Sequence, residues 1–386
     1  MRRSKILRFL AASGLYISMA AAGLDRSRSQ FKQFFPTVEE FAKPRFHEEC
    51  PEEFANYFDE SLPDPNGSHE WSTRLMGCIL DNFGELNKAN MAVTAILLAL
   101  LPAGLGQFGP GMAEISLLST RRPLLAMFLS FGLMSPNPTE YDFEAILHKA
   151  NNGGEALVPI QALDGDSFTV KILVSLVEYI IGIAATGNCF YQVYRFTYWS
   201  ISLAPMVVFM PGLPETATIF GWVSLNLPIQ LLSFAVFSLA FRWTTPEARY
   251  KGWLNRLIES IATELTSCSQ GRSIRMVRRQ NWQTLQRLLA TATRLVAGLH
   301  IILGTVIIGS IVLIPLADSL PVIYAFVFAA IFTRAVLSYE LNGLARKTNE
   351  RSRNNEELLS NQTKHPYTYE THALESRQYN SLGQSD

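Results

Sequence analysis

Charge is scarce in this chain of 386 residues: Asp, Glu, Lys and Arg make up 17% of it, against roughly a quarter in an average soluble domain. The 33 basic and 33 acidic residues cancel, which argues against a chain-wide polybasic nucleic-acid binder and leaves no nucleic acid among the expected partners. A wholly disordered chain would be poorer in apolar residues and richer in charge. Four cysteines are too few for a fold built from disulfides. The six histidines are scattered, and Cys189 and Cys268 suggest no metal site. There is no metalloprotease His-Glu pair, no Gly-rich phosphate loop and no nucleophile elbow. The sequence therefore offers no catalytic residue, calls for no metal or cofactor, and reads as that of a non-enzyme.

Apolar residues, by contrast, make up 48% of the chain and sit in blocks. A membrane helix needs roughly 20 mostly apolar residues. Candidate spans are 91–108, 115–134 (interrupted by Arg121-Arg122-Pro123), 172–190, 198–213, 217–241, 295–316 and 320–337. The expected fold is all-α: a polytopic transmembrane helix bundle of about seven spans within 91–341. The second and fourth spans are the weakest, and without them five remain. The bilayer is the first expected partner.

Residues 1–23 pair a basic start with a short apolar run ending in Ala20-Ala21-Ala22. That order is expected of a signal peptide, with an uncleaved signal anchor as the alternative. Residues 24–90 carry thirteen acids and seven bases, interleaved with aromatics, and read as a small ectodomain. Cys50 and Cys78 are its only cysteines, so a Cys50–Cys78 bridge is expected in an oxidising compartment. Asn66-Gly67-Ser68 is a glycosylation sequon in a turn-rich stretch.

Lys and Arg favour the cytoplasmic side. Residues 243–294 hold nine bases, among them Arg272, Arg275, Arg278 and Arg279, against three acids. That loop is expected inside, which puts the N-terminus outside and the C-terminus inside. With seven spans, the acidic stretch 136–171 falls outside. The basic loop reads as two amphipathic helices that could meet anionic lipid or a cytoplasmic protein, or merely extend the neighbouring spans. Residues 342–386 are polar and expected to be a disordered cytoplasmic tail, which leaves the sequon at Asn361 unmodified.

Few polar groups interrupt the spans. Glu178 lies at membrane depth and needs a partner or a wet cavity; Arg334 is one opposite charge, and an outer-surface position for Glu178 is another reading. Asn226 and Gln230 flank Pro228, which frees a backbone carbonyl that such side chains can satisfy. Together Glu178, Asn226, Gln230 and Arg334 form the candidate intramembrane polar site.

Asp81-Asn82, Asn87 to Met91, Ala113 to Leu118, Arg121 to Leu125 and Ser130-Phe131-Gly132 resemble a group of uncharacterised multi-pass membrane proteins of filamentous fungi. The resemblance covers about residues 75–135 and implies a fungal membrane protein of the secretory pathway, with no activity attached. The expected function is sensing or scaffolding at a membrane, the plasma membrane ahead of internal ones. The alternative is a transporter or channel for a small solute. The ligand is not legible in the sequence.

Overall fold

The structure, a computed structural model, describes residues 31–59, 61–62, 70–139, 141–151, 168–202, 216–244, 253–268, 275–279 and 282–364. The expected signal peptide, the Asn66 sequon, Arg272, most of the 198–213 span and residues 365–386 lie outside them.

The described residues open with four short helices: α1 (Pro36–Phe41), α2 (Lys43–Glu49), α3 (Pro51–Phe58) and α4 (Glu70–Asp81). Each of the first three has a proline in its opening turn, where the missing N–H costs nothing. Phe31, Phe34, Phe46, Phe54, Tyr57, Leu75 and Ile79 form their shared core, and a Cys50–Cys78 disulfide ties the junction of α2 and α3 to α4. The elements that follow are α5 (Glu85–Phe108), α6 (Met112–Ser119), α7 (Pro123–Phe131), α8 (Phe143–Asn151), α9 (Phe168–Tyr198) and β1 (Ile201–Ser202). Then come α10 (Thr216–Ser224), α11 (Asn226–Ala240), β2 (Phe241–Thr244), α12 (Trp253–Glu264), β3 (Arg275–Arg278), α13 (Gln283–Gly309), β4 (Ile311–Val312) and α14 (Leu316–Lys364).

Among the described residues, five helical stretches are long and apolar enough to cross a membrane: Glu85–Phe108, Ile172–Tyr198, Thr218–Ala240, Gln283–Gly309 and Leu316–Arg346. They mark the chain as a membrane protein and form an all-α bundle. The third is broken between α10 and α11, because Pro228 cannot donate to the carbonyl one turn back.

The bundle has two distinct ends. At one, the N-terminal helices sit on the bundle: Lys32 and Gln33 donate backbone N–H to the Tyr198 carbonyl, each at 2.9 Å. Thr37 N–H donates to Asp318 Oδ2 at 3.1 Å, and β1 pairs with β4. At the far end, β2 pairs with β3, Phe241 opposite Arg278. Phe143 of α8 packs there on Phe237 and Phe241.

Residues 115–134 do not form the single crossing helix expected of them. They make α6 and α7, eight and nine residues long, or about 12–14 Å each, less than half the roughly 30 Å hydrocarbon core. Pro123 and the Arg121-Arg122 turn separate them. The contacts fix their directions. Glu114 meets Arg334 and Arg122 meets Glu340, so α6 descends to the far end. Gly132 then returns to the level of Ala185 and Thr333, so α7 climbs back partway. Met112 N–H donates to the Asn137 carbonyl at 3.1 Å, where the chain turns again.

Two further stretches differ from expectation. Among the described residues of the basic loop, the first helix is α12; the second stretch begins as strand β3 and from Gln283 forms the first turns of α13, an extension of the neighbouring span. The chain after residue 342 continues as helix to Lys364, where a disordered tail was expected; no proline interrupts it before Pro366, and α14 supplies the nucleus from which a helix propagates cheaply.

One close approach in the middle of the bundle requires glycine. Trp222 Nε1–H donates to the His300 carbonyl at 2.9 Å, His300 Nε2 pairs with the Trp222 carbonyl at 2.8 Å, and the rings stack. A Cβ at Gly304 would lie 2.1 Å from Trp222 Cζ2. Gly304→Ala therefore overpacks the site and is expected to cost about 1–3 kcal/mol, read as a lowered melting temperature in detergent. An unchanged melting temperature would contradict this packing.

Candidate functional site

A helix that ends inside a bundle carries a problem at each terminus: its first N–H groups and last carbonyls have no partner in the helix. Both ends of α7 are met by side chains from elsewhere. At its start, Glu264 of α12 accepts from the N–H groups of Leu124 and Leu125 at 2.9 and 3.1 Å. A carboxylate there also suits the positive end of the helix dipole. At its finish, Asn226 Nδ2 donates to the Ser130 carbonyl at 3.1 Å and more weakly to that of Leu133 at 3.5 Å. Thr186 Oγ1 donates to the Phe128 carbonyl at 2.9 Å.

Arg122, just before α7, has no exposed surface. Its Nη1 bonds Glu178 of α9 and lies 3.0 Å from Glu340 Oε1 of α14. Its Nη2 donates to Ser175 Oγ at 2.7 Å, and its Nε to the Glu264 carbonyl at 2.9 Å. One guanidinium thus holds α7, α9, α12 and α14 together, a task suited to its planar array of donors. Burial by itself pulls the Arg122 pKa down, but Glu340 and Glu178 outweigh burial and raise it, so the group stays charged.

The cluster extends outward from this arginine. Tyr179 O–H donates to Glu264 Oε1 at 2.7 Å, and Cys268 N–H donates to Glu340 Oε2 at 3.1 Å. Burial pushes the Glu264 carboxyl up, against the opposing pull of Tyr179, Arg122 and the two helix N–H groups. Burial, with Glu340, also pushes up the Cys268 thiol, which leaves it a poor nucleophile.

The structure does not gather Glu178, Asn226, Gln230 and Arg334 into one site. Glu178 belongs to the Arg122 cluster. Arg334 pairs with Glu114 of α6. Asn226 serves the end of α7, not the carbonyl freed by Pro228. Gln230 lines a cleft of about 20 Å³ with Ser116, Ser130 and apolar neighbours, room for one water. Of the basic-loop arginines, Arg275 and Arg278 lie in β3, where Arg278 is exposed and 3.4 Å from Glu144. Arg279 N–H donates to the Ala240 carbonyl.

Arg122, Glu264 and Glu340 are the functional residues that reading the sequence missed. The signal for Arg122 was its place beside a proline inside an apolar block; it reads there as a turn marker. Glu340 lies three residues past the end of an apolar run. Glu264 carried no visible sign.

Comparison with protein-family models, with curated proteins and with solved structures finds no match to this chain.

Removing the cation from such a cluster leaves buried carboxylates uncompensated. Arg122→Met is expected to lower the unfolding free energy in detergent by about 3–5 kcal/mol. Arg334→Met, whose ion pair with Glu114 is partly exposed, should cost less. Equal losses would contradict the assignment of the cluster to Arg122.

Proposed function

We propose that this chain is a non-enzymatic membrane scaffold of the secretory pathway, at the plasma membrane ahead of internal membranes. It would carry its N-terminal helices on the outer face and its basic segment on the inner face. One observation carries the reading: the charged side chains set within the bundle are bound by the bundle itself. Glu178 and Glu340 are held by Arg122, and Arg334 by Glu114. A transporter or channel for a small solute would need such groups along a wet path, and the cleft at Gln230 has room for about one water.

In this reading the chain crosses five times, with the N-terminal helices outside and the end of α14 inside. Residues 109–151 then belong to the inner side. Their contacts support that placement: Glu144 pairs with Arg278, and Phe143 packs on Phe241, beside the basic segment. A seven-span arrangement would put 136–171 outside.

Glycosylation mapping tests the topology. The sequon at Asn66 should carry a glycosidase-sensitive glycan; a sequon moved to residue 152, with Asn66 removed, should not. A glycan at 152 would restore the seven-span arrangement. For function, the purified protein in liposomes should give no solute or ion flux above empty vesicles. Flux abolished by Glu178→Gln would overturn the scaffold in favour of a carrier.

A further inference from the structure

The helix that caps α7 has a second face. On α12, Ile258 and Ile261 are 61% and 51% exposed, and Leu265, just past its end, is 53% exposed. Their i, i+3, i+7 spacing draws one stripe along the helix. Glu264 points elsewhere, at about 100° per residue from its neighbour Leu265, and is buried against α7. Its carboxylate fixes the rotation of α12, so the stripe cannot turn inward to the bundle.

The depth of this stripe follows from the same contact. Glu264 accepts from Tyr179, seven residues into the apolar stretch Ile172–Tyr198, or about 10 Å along the helix. On that part of α9, Leu176, Val177 and Ile180 are exposed apolar residues, the surface a crossing helix offers to lipid. The end of α12 is therefore continuous with the lipid-facing side of the bundle. At twelve residues, about 18 Å, α12 is too short to cross. On the same end of the bundle, Trp282 is exposed at the start of α13, a residue type that favours the membrane–water boundary. Arg242, Arg278 and Arg287 are exposed there too.

We propose that α12 is an interfacial helix that lies on the bilayer, with Ile258, Ile261 and Leu265 in the acyl boundary. Arg242, Arg278 and Arg287 meet the phosphates of anionic headgroups. Such helices bind through buried apolar area plus attraction to anionic lipid. This inference rests on the far end meeting a bilayer surface, and not on the scaffold reading.

The test uses the full chain in nanodiscs of phosphatidylcholine with a stepped fraction of phosphatidylserine. Ile261→Cys and Thr263→Cys, each carrying a nitroxide, report accessibility to oxygen, which partitions into lipid, and to a water-soluble nickel chelate. The free cysteines Cys189 and Cys268 are both buried and stay unlabelled. Position 261 should favour oxygen and position 263, about 160° around the helix, nickel, and the preference at 261 should grow with phosphatidylserine. Arg242→Gln/Arg278→Gln/Arg287→Gln should remove that growth. A nickel preference at 261 in every lipid would overturn the proposal and leave a water-facing surface for a protein partner. Shielding from both reagents would overturn it in favour of contact with protein, a second copy included. An oxygen preference that ignores phosphatidylserine would overturn the headgroup contact.

Discussion

A guanidinium with no access to solvent is costly unless carboxylates and further acceptors surround it. Arg122 is in that position, and much of the far end of the bundle is arranged to satisfy it. Glu178 comes from α9, Glu340 from α14, Ser175 from one turn before Glu178, and a backbone carbonyl from the end of α12. Each partner lies on a different part of the chain from Arg122, so the cluster joins segments 53 to 218 residues apart in sequence. Such clusters are weak sources of net stability and strong penalties on any arrangement that separates them. Here that means one register of α9 against α14, since sliding either helix by a turn would strand a charge.

The second constraint is α7, a half-length helix that starts at the cluster and stops inside the bundle. In a hydrocarbon setting an unpaired backbone group costs several kcal/mol. That is why Glu264 at one end and Asn226 at the other matter more than their number suggests. Asn226 sits where Pro228 breaks α10 from α11, so one local irregularity serves another. Fold, charge cluster and surface helix are thus linked through two side chains, Arg122 and Glu264.

The five helices long and apolar enough to cross a membrane were legible in the sequence because apolar length is a local property. The Cys50–Cys78 pairing was legible because the N-terminal helices hold no other cysteine. Glu178 was visible as an expensive group, but its partner was not: hydropathy assigns Arg122 to a turn and offers Arg334 as the opposite charge. The distinction rests on contacts between distant segments, which no window along the chain contains. Residues 115–134 misled for the same reason, since the caps that let α7 stop halfway come from residues 226 and 264. β3 was nearer to legible. Arg275-Met276-Val277-Arg278 lies among apolar residues whose helical spacing masks a short strand pairing with Phe241–Thr244.

The central claim is that Arg122, Glu178 and Glu340 act as one unit, and coupling between their substitutions measures it directly. Unfolding free energies in detergent should be compared for the unchanged protein, for Arg122→Met, for Glu178→Gln/Glu340→Gln and for the triple variant Arg122→Met/Glu178→Gln/Glu340→Gln. If the arginine's role is to balance two buried carboxylates, neutralising them should recover most of the loss caused by Arg122→Met, with a coupling of about 0.5–3 kcal/mol. A triple variant no more stable than Arg122→Met would contradict the account.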